Sequence, residues 1–337
     1  MASSVGGMQR DDVTTWLLAG DPAIRWQALA DLTDASEEEV DAERARVAQT
    51  GWGKRLLDLQ TDGQWAGGAC FPSQTWRPEV VVGDPEGQPW TATLPTLRLL
   101  RECGIDPADP AVRSAIEGVR AHCRWEYAGE PFFEGEVEPC INGGAVALGA
   151  YFGQDVDGIV TRLLREQLED GGWNCEAENG STRSSFHSTI CVLDGLLEYE
   201  RAGGEHDVAQ ARRRGEEYLL TRQLHRRAST GEPVDAAWHE FSFPPQWHYD
   251  VLRGLDYFRA AGGAPDPRLA EAADLVRARQ QPDGTWLQEN THPGLMHFEL
   301  EDGDGAPSRW NTLRALRSLR WHDGEARRPA DAPAAIG

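Results

Sequence analysis

Gln167-Leu168-Glu169-Asp170-Gly171-Gly172-Trp173 decides the fold, because close copies of it occur twice more, as Leu59-Gln60-Thr61-Asp62-Gly63-Gln64-Trp65 and Gln281-Pro282-Asp283-Gly284-Thr285-Trp286. Each copy reads as a helix end, a tight Asp-Gly turn and an aromatic plug. Glycine accepts positive φ in such a turn, and a tryptophan just beyond it staples the loop onto the preceding helix.

Apolar helices closing in glycine lie between the copies. They run from Thr93 to Gly104, Gly143 to Gly153, Ile190 through Leu197 to Gly203, Val251 through Phe258 to Gly262, and over Thr312–Leu316. Apolar on more than one face, they are expected to form an inner ring. The charged, amphipathic segments Pro110–His122, Asp207–Leu224 and Pro267–Gln280 are expected to form an outer ring. Helical hairpins repeating at roughly fifty to sixty residues bury one another's faces in a closed or solenoidal array. The first 50 residues lack the repeat and read as helices that cap or complete the ring. Residues 1–325 are expected to be a single domain and 326–337 a disordered tail.

Composition bounds the function. Apolar residues make up 40% and tryptophan occurs 13 times, enough for a large core. With 55 acidic against 33 basic side chains the formal charge is −22, which repels nucleic acid and anionic membrane surfaces. No apolar run suits a signal peptide or a membrane span, so a cytoplasmic protein is expected. Six cysteines are few for a disulfide framework in a chain of this size. Cys70, Cys103, Cys123 and Cys191 read as small buried hydrophobes.

The Gln-x-x-Asp-Gly-x-Trp phrase resembles the aromatic QW repeat of squalene-hopene cyclases. That resemblance spans most of the chain and implies an all-α fold, the α/α toroid, with inner helices directing their N-terminal ends toward one mouth of a funnel. The acidic Asp-x-Asp-Asp motif with which such cyclases protonate an alkene is missing. Its nearest approach, Glu301-Asp302-Gly303-Asp304, reads as a solvated turn. Paired Asp-rich magnesium motifs are missing as well.

A second resemblance is to the β-subunit of protein prenyltransferases around its zinc histidine. It is carried by Gly171-Gly172-Trp173-Asn174-Cys175 and by Thr182-Arg183-Ser184-Ser185-Phe186-His187-Ser188-Thr189. It implies that His187 is a zinc ligand. One repeat upstream, where that family has Asp-x-Cys, this chain has Glu138-Pro139-Cys140. The residues agree with the resemblance. Zn2+ needs three or four converging soft or borderline donors, and the starts of adjacent inner helices face one mouth. Cys140 and His187 meet that condition, Cys175 is a third candidate and His248 a fourth. A helix N-terminus also favours the thiolate that metals need.

Prenyl transfer is not expected. Phe132, Gly135 and Ile141 stand where the resemblance would place cationic or phenolic diphosphate contacts, and Glu134 and Glu136 add negative charge. The expectation is a zinc enzyme activating a water or a thiol on a small, partly apolar substrate. Glu138, Glu176, His248 and Asp250 are the candidate bases, and Trp90, Phe132, Arg183, Trp247 and Arg309 the candidate substrate contacts. Two alternatives stand beside it: a terpenoid cyclase with unconventional acid chemistry, and a non-catalytic toroid with structural zinc that binds a ligand or partner.

Overall fold

The computed structural model describes residues 5–76 and 87–325; the expected tail at 326–337 lies outside the described residues. Thirteen α-helices carry the described chain: α1 Val5–Leu18, α2 Pro22–Leu32, α3 Glu37–Ala45, α4 Gly51–Leu57, α5 Thr93–Glu102, α6 Pro110–His122, α7 Pro139–Tyr151, α8 Asp157–Glu166, α9 Phe186–Arg201, α10 Ala209–Leu220, α11 Val251–Ala261, α12 Ala270–Ala278 and α13 Arg309–His322. A two-residue antiparallel ladder pairs β1 Trp286–Leu287 with β2 Pro307–Ser308.

The fold is an α/α toroid. Inner helices α5, α7, α9, α11 and α13 follow one another around the ring, with α6, α8, α10 and α12 outside them. Helix α2 closes the circle between α13 and the C-terminal end of α5. On one side Arg317 Nη1 donates to Gln27 Oε1 at 2.8 Å; on the other Gln27 Nε2 donates to Glu102 O at 3.0 Å and Trp26 Nε1 to Cys103 O at 2.8 Å. The closest packing is α7 on α9, because Gly143 and Gly195 face each other across the seam. A Cβ on Gly143 would collide with the Cys191 carbonyl, and one on Gly195 with the Gly143 carbonyl.

The three tryptophan turns are equivalent in three dimensions. Trp65, Trp173 and Trp286 are at most 1% exposed. Their indole N–H groups donate to Leu56 O, Leu163 O and Val276 O at 2.7–2.8 Å, late in the preceding outer helix. Their backbone N–H groups donate to the hydroxyls of Thr93, Thr189 and Thr312 at 2.9–3.1 Å, early in the following inner helix. One residue therefore ties each outer helix to the next inner one. It also satisfies a carbonyl in the last turn of the outer helix that has no partner within that helix.

The starts of the inner helices gather at one mouth. Part of it is covered by the segment between β1 and β2, which reaches across to the start of α5. There Trp90 N donates to Leu295 O at 2.8 Å, Trp90 Nε1 to Pro293 O at 3.0 Å, and His297 Nε2 lies 2.9 Å from Thr96 Oγ1.

Candidate metal centre

Cys140 lies in the first turn of α7, entered through Glu138 and Pro139. Cys175 opens a single 3-10 turn whose cap is Asn174, held in place by hydrogen bonds from its side chain to Ser181 Oγ and Arg183 O. The close α7–α9 seam brings these two segments together. The two Sγ atoms lie 2.9 Å apart, and Cys140 Sγ lies 3.5 Å from Glu138 Oε2. Glu138, Cys140 and Cys175 form the one group among the described residues whose three ligand atoms all lie within 4.8 Å of one another.

The environment splits the two thiols. Cys140 is pushed up, first by its hydrogen bond with Cys175 and then by burial. Cys175 is pulled down by the same bond against the opposing effect of burial, helped by the Ser188 hydroxyl 3.3 Å from its sulfur. Of the two, Cys175 is the thiol that ionises more readily. Bound tetrahedrally at about 2.3 Å each, two thiolates stand about 3.8 Å apart. A small side-chain rotation opens the 2.9 Å pair to that span, and the donor set of two sulfurs and a carboxylate suits Zn2+.

His187 stands apart from this group. The backbone N–H of Tyr249 donates to its Nδ1 at 2.9 Å. Burial first, then Arg253, lowers its pKa to about 4, so the ring is neutral near pH 7. A neutral imidazole whose Nδ1 accepts a hydrogen bond carries its hydrogen on Nε2 and has no spare lone pair for a metal. Its ring lies instead among Trp238, Trp247 and His248.

His248 is sandwiched between Trp247 and His292, with ring centroids 3.8 and 3.7 Å away and interplanar angles of 22° and 17°. The indole of Trp90 meets its edge. Trp90, Trp247 and His248 thus share one aromatic cluster, which His292 completes. Nothing in the sequence singled out His292; its only local sign is a position in a long, glycine- and proline-bearing connection.

The other candidates are dispersed. Asp250 is 5% exposed and caps α11 by accepting from Arg253 N at 2.6 Å, so its carboxylate is committed to the helix start. Phe132 is core, stacked at 4.8 Å on Trp125, because its 3-10 turn points inward. Arg309 packs on the Trp16 ring at 4.4 Å and donates to Trp16 O, joining α13 to α1. Arg183 and Glu176 are exposed, Arg183 beside a surface depression shared with Arg222 and Trp238. Cys70 and Cys123 are buried thiols pushed up to about 12, chiefly by desolvation.

Inside the ring lies a cavity of about 410 Å³. Eight arginines and five carboxylates line its wall. Most of them lie on four of the five inner helices, Arg98, Arg101 and Glu102 on α5, Asp194, Glu198 and Arg201 on α9, Arg253, Asp256 and Arg259 on α11, and Arg314 and Arg317 on α13, with Asp31 and Arg44 added from α2 and α3. Burial raises Asp256, but Arg317, Arg259 and Arg314 override it and hold the acid well below the ordinary carboxylate range. Charges spaced three or four residues apart within apolar helices were the sequence sign of this wall.

Neither a family model nor a curated protein matches the chain. Among solved structures, an apo variant of the type II terpene cyclase MstE from Scytonema aligns over 93% of this chain and 95% of its own. The identity is 14% and the TM-score 0.36. The fold assignment rests on the ring closure and the equivalent turns described above. Among the described residues, no helix is long and apolar enough to cross a membrane.

Proposed function

We propose that the protein is a zinc-dependent enzyme acting on a small molecule, with Cys140, Cys175 and Glu138 holding the metal. The observation that carries this reading is the approach of two unoxidised thiols to 2.9 Å beside a carboxylate, at the mouth of the ring. Zinc held by three protein donors supplies Lewis acidity at its remaining position, enough to activate a water or a thiol near neutral pH. Cys175 contributes the anion and Ser188 steadies it. Cys140 releases its proton toward Glu138 when it becomes a donor. Glu138, exposed at the rim, stands nearest the solvent side from which a substrate enters.

A cyclase protonating an alkene would need a desolvated, unpaired carboxylic acid in the lumen. The lumen acids are all engaged: Asp194 with Arg253 at 2.8 Å, Glu198 with Arg101 at 2.6 Å, Asp256 with Arg259 at 2.8 Å, Asp31 with Arg317 at 3.7 Å and Glu102 with Arg101 at 3.7 Å. Glu301, raised by burial, lies outside the lumen wall and accepts from Ser308 Oγ and Trp310 N at the start of α13. This distribution favours the zinc reading.

Elemental analysis of protein purified without added metal tests the proposal. About one zinc per chain is expected, with both thiols protected from a thiol reagent until a chelator is added. Metal-free protein with two freely titrating thiols, or a Cys140–Cys175 disulfide seen by mass spectrometry, overturns it.

A further inference from the structure

The cavity wall carries more positive than negative groups in a chain whose formal charge is −22. Its eight arginines and five carboxylates leave an excess of three guanidinium groups, and the ion pairs show which three. Arg101, Arg253, Arg259, Arg314 and Arg317 each lie within 4 Å of a lumen carboxylate. Arg44, Arg98 and Arg201 have no carboxylate at that range among the described residues. Arg98 Nη2 donates to Cys140 O at 3.2 Å, Arg44 to Gly104 O and the Tyr151 hydroxyl, and Arg201 to Ala260 O.

These neutral acceptors orient the guanidiniums without a carboxylate in direct contact. A guanidinium has five N–H donors, and Arg98 uses one of them. The guanidinium lies against Gly144 of α7, where a Cβ would displace it. Arg44, Arg98 and Arg201 belong to one side of the ring, on or beside α3, α5 and the end of α9. Arg201 is exposed at the end of α9, and Arg101 and Arg259 act to lower its pKa while Glu198 acts to raise it.

We propose that the lumen is a binding site for a compact, multiply charged oxyanion bearing phosphate or carboxylate groups, with Arg98, Arg201 and Arg44 as its principal contacts. Forked guanidiniums bind both groups through paired charge-assisted hydrogen bonds. A cavity of about 410 Å³ falls within the ordinary range for small-ligand pockets, about 300–1,000 Å³. The site is separate from the thiol pair and meets it at one point, the Cys140 carbonyl that accepts from Arg98. Arg98 thus marks the end of the site at the first turn of α7, and Arg44, bonded to the Tyr151 hydroxyl, the end at its last turn.

Calorimetry and thermal shift with sodium phosphate, pyrophosphate and citrate, in low-salt buffer, test the proposal on the full chain. At least one of the three should bind and raise the melting temperature, with affinity falling as salt rises. Preference for pyrophosphate or for citrate identifies which group the site is built for. The double variant Arg98→Gln/Arg201→Gln should weaken binding about a hundredfold or more, and Arg98→Lys by a smaller factor, because it keeps the charge and loses the fork. Glu102→Gln, which adds to the positive excess, should tighten binding severalfold and keeps the proposal testable if the double variant does not fold. The same titrations after chelation should be unchanged, which separates this result from the fate of the zinc reading. Absence of binding by all three anions overturns the proposal, and so does equal binding by wild type and either the double variant or Glu102→Gln.

Discussion

Two sides of the same mouth carry metal-type side chains, and they are organised oppositely. On the α7–α9 side two sulfurs and a carboxylate converge, their ligand atoms within 4.8 Å of one another. On the α9–α11 side three imidazoles, His187, His248 and His292, gather by ring contact with each other and with tryptophans. Convergence of donor atoms makes a candidate ion site. Convergence of ring faces makes a packed aromatic wall, and burial keeps its histidines neutral.

The largest effect should come from the sulfur side. Cys140→Ala or Cys175→Ala is expected to weaken zinc at least about a hundredfold, measured by competition with a chromogenic chelator. Retention of stoichiometric zinc by either variant would break the comparison. The imidazole side should respond in stability instead. His248→Ala removes a ring stacked on both faces and should cost about 2–3 kcal/mol in urea unfolding while leaving zinc content unchanged.

Acid sharpens the same contrast. His248 is lowered to about 3 by burial first, then by His292, His187 and Arg253, and His292 to about 4 by burial and then Arg253. Their unfolded values are near 6.5, so between that pH and about 4 the unfolded chain binds protons that the folded chain does not. Stability is full above about pH 6.5 and is lost as pH falls. The melting temperature of metal-free protein should drop by about 3–8 °C from pH 7 to 5, with a shallower slope in His248→Phe. A flat profile would show that these rings are solvated.

Smaller effects grade the ligand set. Glu138→Gln should weaken zinc about tenfold, since an exposed carboxylate contributes less than a thiolate. His187→Ala should change zinc affinity by less than about threefold, because its Nδ1 is occupied by Tyr249 and its Nε2 holds the hydrogen. A loss as large as that of Cys140→Ala would return His187 to the ligand set.

The sequence by itself determined the hairpin array. The three Asp-Gly-x-Trp turns are local devices, each needing only a positive-φ glycine, a plug and a threonine at the next helix start. It also placed Cys140 at one inner-helix start and Cys175 in the loop before the next, because position along a hairpin is readable from period. What the tertiary structure alone decided is direction across the ring. The Gly143–Gly195 contact draws two thiols from 35 residues apart to 2.9 Å. Tyr249, from a third hairpin, turns His187 away. Ring closure sends Phe132 into the core and Arg309 to α1, and aims arginines from four inner helices into one cavity. Helical period says which residues share a face; which face meets the lumen depends on how every other hairpin packs.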